Sequence, residues 1–132
     1  SWTVTAAHTQ HVQPWLESLA YRVDSDERSI VFAGDTDPCE SVSKLAHGAD
    51  VLVVNCWDHQ ETMEQNGEAP GQTGTLDAAK MARESSVKKL ILTHTGVHLT
   101  EPGSREKGIG DIARIYPGEI IFAEELMSLV LW

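Results

Sequence analysis

The 132 residues carry 20 acidic against 10 basic side chains, a net charge of −10, which argues against a general nucleic-acid or anionic-membrane surface. At 41% apolar and 23% charged, the chain holds enough hydrophobic material for one globular core. Cys39 and Cys56 are too few and too far apart for a disulfide framework, and no apolar run approaches the ~20 residues of a membrane span.

No secretory leader is visible and a cytoplasmic location is expected; the start, Ser1-Trp2-Thr3-Val4, reads as the interior of a longer chain. Residues 2–6 alternate apolar side chains with threonines, the pattern of a short strand, and a polar loop with His8 and His11 follows. Residues 18–23 form a second strand, and the charged turn 24–28 makes a hairpin with the next. That third strand, Ser29-Ile30-Val31-Phe32-Ala33, reads as buried on both faces. Gly34 turns the backbone and leaves Asp35 at the strand's carboxyl end. Asp37, Pro38 and Glu40 have the spacing of a helix cap, a first-turn proline and a capping box, so Asp37 is assigned to the cap and Asp35 is left free for chemistry.

The cap opens a helix over 38–47 that buries Val42, Leu45, Ala46 and Ala49 and stops at Gly48. Residues 50–56 are a second buried strand, with Trp57-Asp58-His59 at its carboxyl end, and 60–72 read as a long polar loop. A helix from Thr73 or Thr75 to Ser86 carries Leu76, Ala79 and Ala82 at helical spacing. Residues 88–93 are a third buried strand, which delivers His94 to the same edge as Asp35. A loop with His98, a helix over 104–116 with Ile109, Ile112, Ala113 and Tyr116 inward, and strands at 119–123 and 127–132 complete the chain. The order implies a single α/β domain over 1–132, with helices on one face of a mixed, mostly buried sheet.

In such sheets ligands bind where strand carboxyl ends and helix starts converge. Zinc accepts histidine nitrogen and carboxylate oxygen at about 2.0–2.2 Å, so His11, Asp35 and His94 are the candidate metal ligands. His8, His47 and His98 are expected in solvent, with His8 the fallback for His11.

The series His11, Ala20-Tyr21-Arg22-Val23, Phe32-Ala33-Gly34-Asp35-Thr36, Gly48-Ala49-Asp50-Val51-Leu52-Val53 and Leu90-Ile91-Leu92-Thr93-His94 resembles the carboxyl-terminal half of the metallo-β-lactamase fold, in its ribonuclease Z-like branch. The resemblance implies that His11 binds one metal, Asp35 bridges two and His94 binds the second. It implies half of an αββα sandwich, from a di-zinc hydrolase of an ester, lactone or phosphodiester. The His-x-His-x-Asp-His motif of the family's amino-terminal half has no match here, so the chain alone is expected to be inactive. The family's His-Glu-Ala-Thr segment is replaced by Asn55-Cys56-Trp57-Asp58 and its His-Ser-Thr by Thr73-Gly74-Thr75. Cys56 or His59 is a candidate replacement ligand. Metal identity stays open between zinc, iron and manganese.

Half a sandwich leaves a sheet face uncovered, so a homodimer, a swapped oligomer or the missing half is the expected partner. The alternatives are a non-catalytic module that binds metal or self-associates, and a magnesium-dependent phosphatase resembling the haloacid dehalogenases. In the latter Asp35 would be the nucleophile and Asp37 the acid/base, supported by Thr93, Lys88 or Lys89 and Glu124-Glu125, with Cys39 where that family has threonine.

Overall fold

Parallel strands need crossovers, and in this chain every crossover carries a helix. The computed structural model describes residues 1–130. Its single sheet follows chain order: β1 (Trp2–His8), β2 (Leu19–Ser25), β3 (Ser29–Gly34), β4 (Val51–Asn55), β5 (Lys89–Thr93) and β6 (Glu119–Phe122). The first three strands run antiparallel, the last four parallel. Helix α1 (Glu40–Ala46) links β3 to β4, and α2 (Gln60–Asn66) and α3 (Thr75–Glu84) link β4 to β5. A 3-10 turn (Val97–Thr100) and α4 (Ser104–Ala113) link β5 to β6. The α/β class, and a mixed sheet whose helices share one face, are therefore as the sequence implies.

The period-2 alternation of the strands decides which face is dry. Val31, Ala33, Leu52, Val54, Leu90 and Leu92 join Val42 and Leu45 of α1 and Ala78, Ala79 and Ala82 of α3 in one core. The other face differs between its two ends. Register pairs Val4 with Val23 and Tyr21 with Phe32, and Trp2, Val4, Tyr21 and Phe32 there are 77%, 62%, 45% and 45% exposed. Strand β3, expected to be buried on both faces, is thus covered on its helix side only. Further along the same face Val51 and Ile91 are buried, and Lys89 Nζ donates to the Val130 carbonyl at 3.3 Å, which brings the end of the described chain onto it.

Four further expectations need correction. Helix α1 starts at Glu40 after Cys39, without a side-chain cap, so Asp37 and Pro38 lie outside it. Residues 60–66 are helical, not loop: Met63 is fully buried and Gly67 ends the helix in the left-handed conformation at φ 69°. On α4 it is Gly108 and Ile112 that face inward, whereas Ile109 and Ala113 face solvent. A Cβ on Gly108 would stand 3.3 Å from Leu99 and 3.5 Å from both His59 and Thr75, so the absent side chain sets how closely α4 packs. The strand expected over 127–132 is missing from 127–130, and its last two residues lie outside the described residues.

Two parallel strands end in left-handed backbone: β3 at Gly34 (φ 65°) and β5 at His94 (φ 48°). Glycine accepts this freely, and any other residue is strained by about 1–2 kcal/mol. Nothing lies within 4 Å of a Cβ placed at Gly34. Gly34→Ala should therefore lower unfolding free energy by about 1–2 kcal/mol through backbone strain alone. Urea denaturation checks this, and an unchanged midpoint contradicts the turn geometry.

Candidate metal centre

The turn after β3, the loop after β1 and the turn after β5 meet at one edge of the sheet. His94 Nδ1 lies 2.8 Å from Asp35 Oδ1, and His11 Nε2 lies 3.9 Å from Asp35 Oδ2. Three side chains separated by up to 83 positions in sequence, Asp35 between two imidazoles, are thereby brought together. Strand β5 carries His94 to the rim by its parallel pairing with β4, and Trp57 beyond β4 packs a tilted ring 5.6 Å from the His94 ring.

His11 sits on a loop, so its position needs another explanation. Gln10 N–H donates to Thr36 Oγ1 at 3.1 Å and Asp37 N–H to the Gln10 carbonyl at 2.6 Å, stitching the His11 loop to the turn that bears Asp35. His11 Nδ1 lies 2.6 Å from the Gly71 carbonyl. A carbonyl only accepts, so Nδ1 carries the proton, and in the neutral ring Nε2 keeps its lone pair on the Asp35 side. This is the outer-shell arrangement that orients a metal-ligating imidazole. Asp37, expected as a helix cap, instead accepts the Gly71 N–H at 2.8 Å and fixes the loop that fixes His11. Beneath them, Thr73 Oγ1 donates to the Thr36 carbonyl at 2.6 Å and Asn55 Nδ2 to Gln72 Oε1 at 2.6 Å, so the buried polar atoms are paired.

The other candidates lie elsewhere. Cys56 is fully buried, and burial, with the Asp58 charge second, pushes its thiol up to about 12, far from the thiolate a metal takes. His59 Nε2 is 2.8 Å from Ser104 Oγ. His8 stands at the exposed surface 3.6 Å from Glu17, and His47 is exposed. His98 was expected in solvent but is held: its Nδ1 lies 2.6 Å from Oδ2 of Asp58, whose side chain is 2% exposed. The hydrogen bond to Asp58, then its charge, raise the His98 pKa, with Glu101 and Glu68 adding to the same effect. A raised native pKa means the pair stabilises the fold fully below the ordinary histidine value of about 6.5 and loses that contribution as pH rises through the native value. Among the described residues, no group of three or more His, Cys, Asp or Glu is arranged to hold a metal ion by itself.

Residues 1–95, which include His11, Asp35 and His94, match the family described as the beta-lactamase superfamily domain. The chain belongs to this superfamily. It is similar to the ribonuclease Z of Methanothermobacter thermautotrophicus, 44% identical over 105 residues that cover 76% of this chain but 31% of the relative. Its backbone matches the metallo-beta-lactamase fold protein YhfI from Bacillus subtilis with a TM-score of 0.77 at 24% identity, over 93% of this chain and 47% of that one. For the short form of human tRNase Z the TM-score is 0.69 at 23% identity, over 98% and 43%. The β-lactamase superfamily fold seen here is thus the metallo-β-lactamase fold in its ribonuclease Z-like branch. The haloacid-dehalogenase reading loses its footing: Asp37 is tied to Gly71, and Glu124 pairs with Arg105 at 2.6 Å.

Sequence spacing could not reveal the roles of Gly71 or Asp58, because their side-chain partners His11 and His98 lie 60 and 40 positions away in the chain. Gly71 has φ 77°, and a Cβ there would overlap the His11 carbonyl oxygen. Gly103 shares the left-handed backbone at φ 84° but has open space around it. Gly71→Ala should therefore cost about 1–3 kcal/mol and move the His11 ring resonances, whereas Gly103→Ala should leave that ring in place. Equal His11 spectra in the two variants would contradict the Gly71 anchor.

Proposed function

We propose that this chain is the carboxyl-terminal, metal-binding part of a metal-dependent phosphodiester hydrolase, with His11, Asp35 and His94 as its metal ligands. The observation that carries the reading is the approach of both imidazoles to one carboxylate within the span matched by the superfamily. The donor set is of the kind zinc takes, and the proton on His11 Nδ1 leaves the other nitrogen available. Three donors fit as part of a shell, one or two ligands short for each ion of a pair. When bound, zinc would supply polarisation of the phosphoryl oxygen and a nucleophile at neutral pH. The chain's own residues then hold the ions, and the Thr36, Asp37 and Gly71 scaffold keeps the ligands from swinging apart. The phosphodiester is preferred to an ester or lactone because the relatives include a ribonuclease Z and a tRNase Z. The acidic composition describes the average surface and does not bear on a local site. A stand-alone module without catalysis has less support, since it leaves the shared ligand pattern without a use.

Zinc titration followed through the histidine ring resonances tests the ligand set. His11 and His94 should shift together, His8 and His47 should not, and Asp35→Asn should weaken binding by more than the roughly 10–100-fold that losing an outer-shell partner costs. A titration that moves His8 or His98 instead contradicts it.

The exposed apolar residues Trp2, Val4, Tyr21 and Phe32 support a packing surface there for the rest of the parent or for a second copy. Light scattering of the isolated chain at micromolar concentration should give a dimer or larger species. A monodisperse monomer counts against a packing surface there.

A further inference from the structure

We propose that His98 donates the proton to the leaving oxygen of the phosphodiester, with Asp58 as its positioning residue; this rests on the hydrolase reading above. A carboxylate as enclosed as Asp58 must have its oxygens served. Its Oδ1 accepts the His59 backbone N–H at 2.7 Å, and its Oδ2 accepts from His98 Nδ1 at 2.6 Å. An ionised carboxylate cannot donate, so Nδ1 holds its proton and the ring is fixed with Nε2 turned away from Asp58. The His98 side chain is 51% exposed, as a group that must meet substrate needs to be.

The charges around the ring come from three elements: Asp58 from the link between β4 and α2, Glu68 from the loop after α2, and Glu101 from the end of its own turn. All are acidic, and they favour an imidazolium that carries a second, transferable proton on Nε2. Trp57 connects this pair to the metal centre. Its ring packs on His94, its carbonyl accepts the Gly96 N–H at 2.7 Å, and a Cβ on Gly96 would stand 2.7 Å from that oxygen. The segment from His94 to His98 is therefore clamped against the residue preceding Asp58, and the loop that places Glu68 near His98 also holds His11 through Gly71.

In the proposed step water attacks phosphorus and the bond from phosphorus to the leaving oxygen breaks, with its electron pair staying on that oxygen. The leaving oxygen takes the His98 Nε2 proton. The proton lost by the attacking water passes to solvent, from which His98 is reprotonated. Such proton delivery contributes typically about 10²–10⁴-fold when the leaving group is a poor one.

The test has two arms. Ring titration of the histidines by NMR in the metal-free chain should show His98 protonated to higher pH than free histidine, and Asp58→Asn should return it toward the free value. In the zinc-loaded full-length protein, His98→Gln should slow hydrolysis of a ribodinucleotide about 10²-fold or more. It should slow bis(p-nitrophenyl) phosphate, whose leaving group needs no proton, by less than about tenfold. Asp58→Asn should move the alkaline limb of kcat/KM to lower pH. A His98 ring that titrates like free histidine, equal losses on both substrates, or an unmoved alkaline limb overturns the proposal while leaving the hydrolase reading intact. A wild-type protein that binds zinc and hydrolyses neither substrate overturns the hydrolase reading and this one with it.

Discussion

The candidate site depends on one glycine in a loop that has no regular structure of its own. Gly71 receives a carboxylate on its N–H, from Asp37, and gives its carbonyl to His11. The two bonds join the turn after β3 to the loop after β1 through a third segment distant from both in sequence. A hydrogen bond of this kind contributes only about 1 kcal/mol net, yet its consequence is geometric. It fixes which nitrogen of His11 is free and where that nitrogen points. The left-handed backbone of Gly71 and its lack of a side chain are what let the loop come this close to the His11 backbone.

The support under the rim follows the same logic. Asn55, Thr73 and Thr36 are fully buried polar residues at the edge of an apolar core, and each is paired with another loop of the site. Leaving such a group unpaired costs about 1–3 kcal/mol, so the network admits one arrangement of the loops and penalises others. The hydrophobic face of the sheet sets the strands, and the polar network at their carboxyl ends sets the positions of His11 and Asp35. His94 in left-handed backbone is the remaining cost: a non-glycine residue is held in a sparsely populated conformation at the point where its ring meets Asp35.

What could be read from the sequence follows from periodicity. The runs Ile30-Val31-Phe32-Ala33, Val51-Leu52-Val53-Val54 and Leu90-Ile91-Leu92 are apolar enough to be strands in any context, and Gly34 and Thr93 mark their ends, so Asp35 and His94 could be placed at a common edge. Helix α2 was hidden because only Met63 of its seven residues is buried, which leaves no apolar stripe to recognise. Asp37 was misassigned because its local spacing to Pro38 and Glu40 suits a cap, while its real partner is 34 positions away. His98 was passed over for the same reason: its partner Asp58 is 40 positions distant, on another strand's end. Tertiary hydrogen bonds leave no periodic trace.

The exposed apolar face and two of the three proposed metal ligands occur on the same strands. Trp2, Val4, Tyr21 and Phe32 belong to β1, β2 and β3, and the loops after β1 and β3 carry His11 and Asp35. At the β4 and β5 end, which carries His94 and the Asp58–His98 pair, the corresponding face is buried at Val51 and Ile91. A second sheet laid on the open strands would bury four large hydrophobic side chains, each worth about 1.5–3 kcal/mol when fully covered. Its own strand ends would then stand beside His11 and Asp35, the position from which further ligands could complete the shell. On the proposed ligand set, one added layer would supply both the apolar cover the face lacks and further donors beside His11 and Asp35, so assembly and metal affinity are expected to rise together rather than as separate properties of the chain.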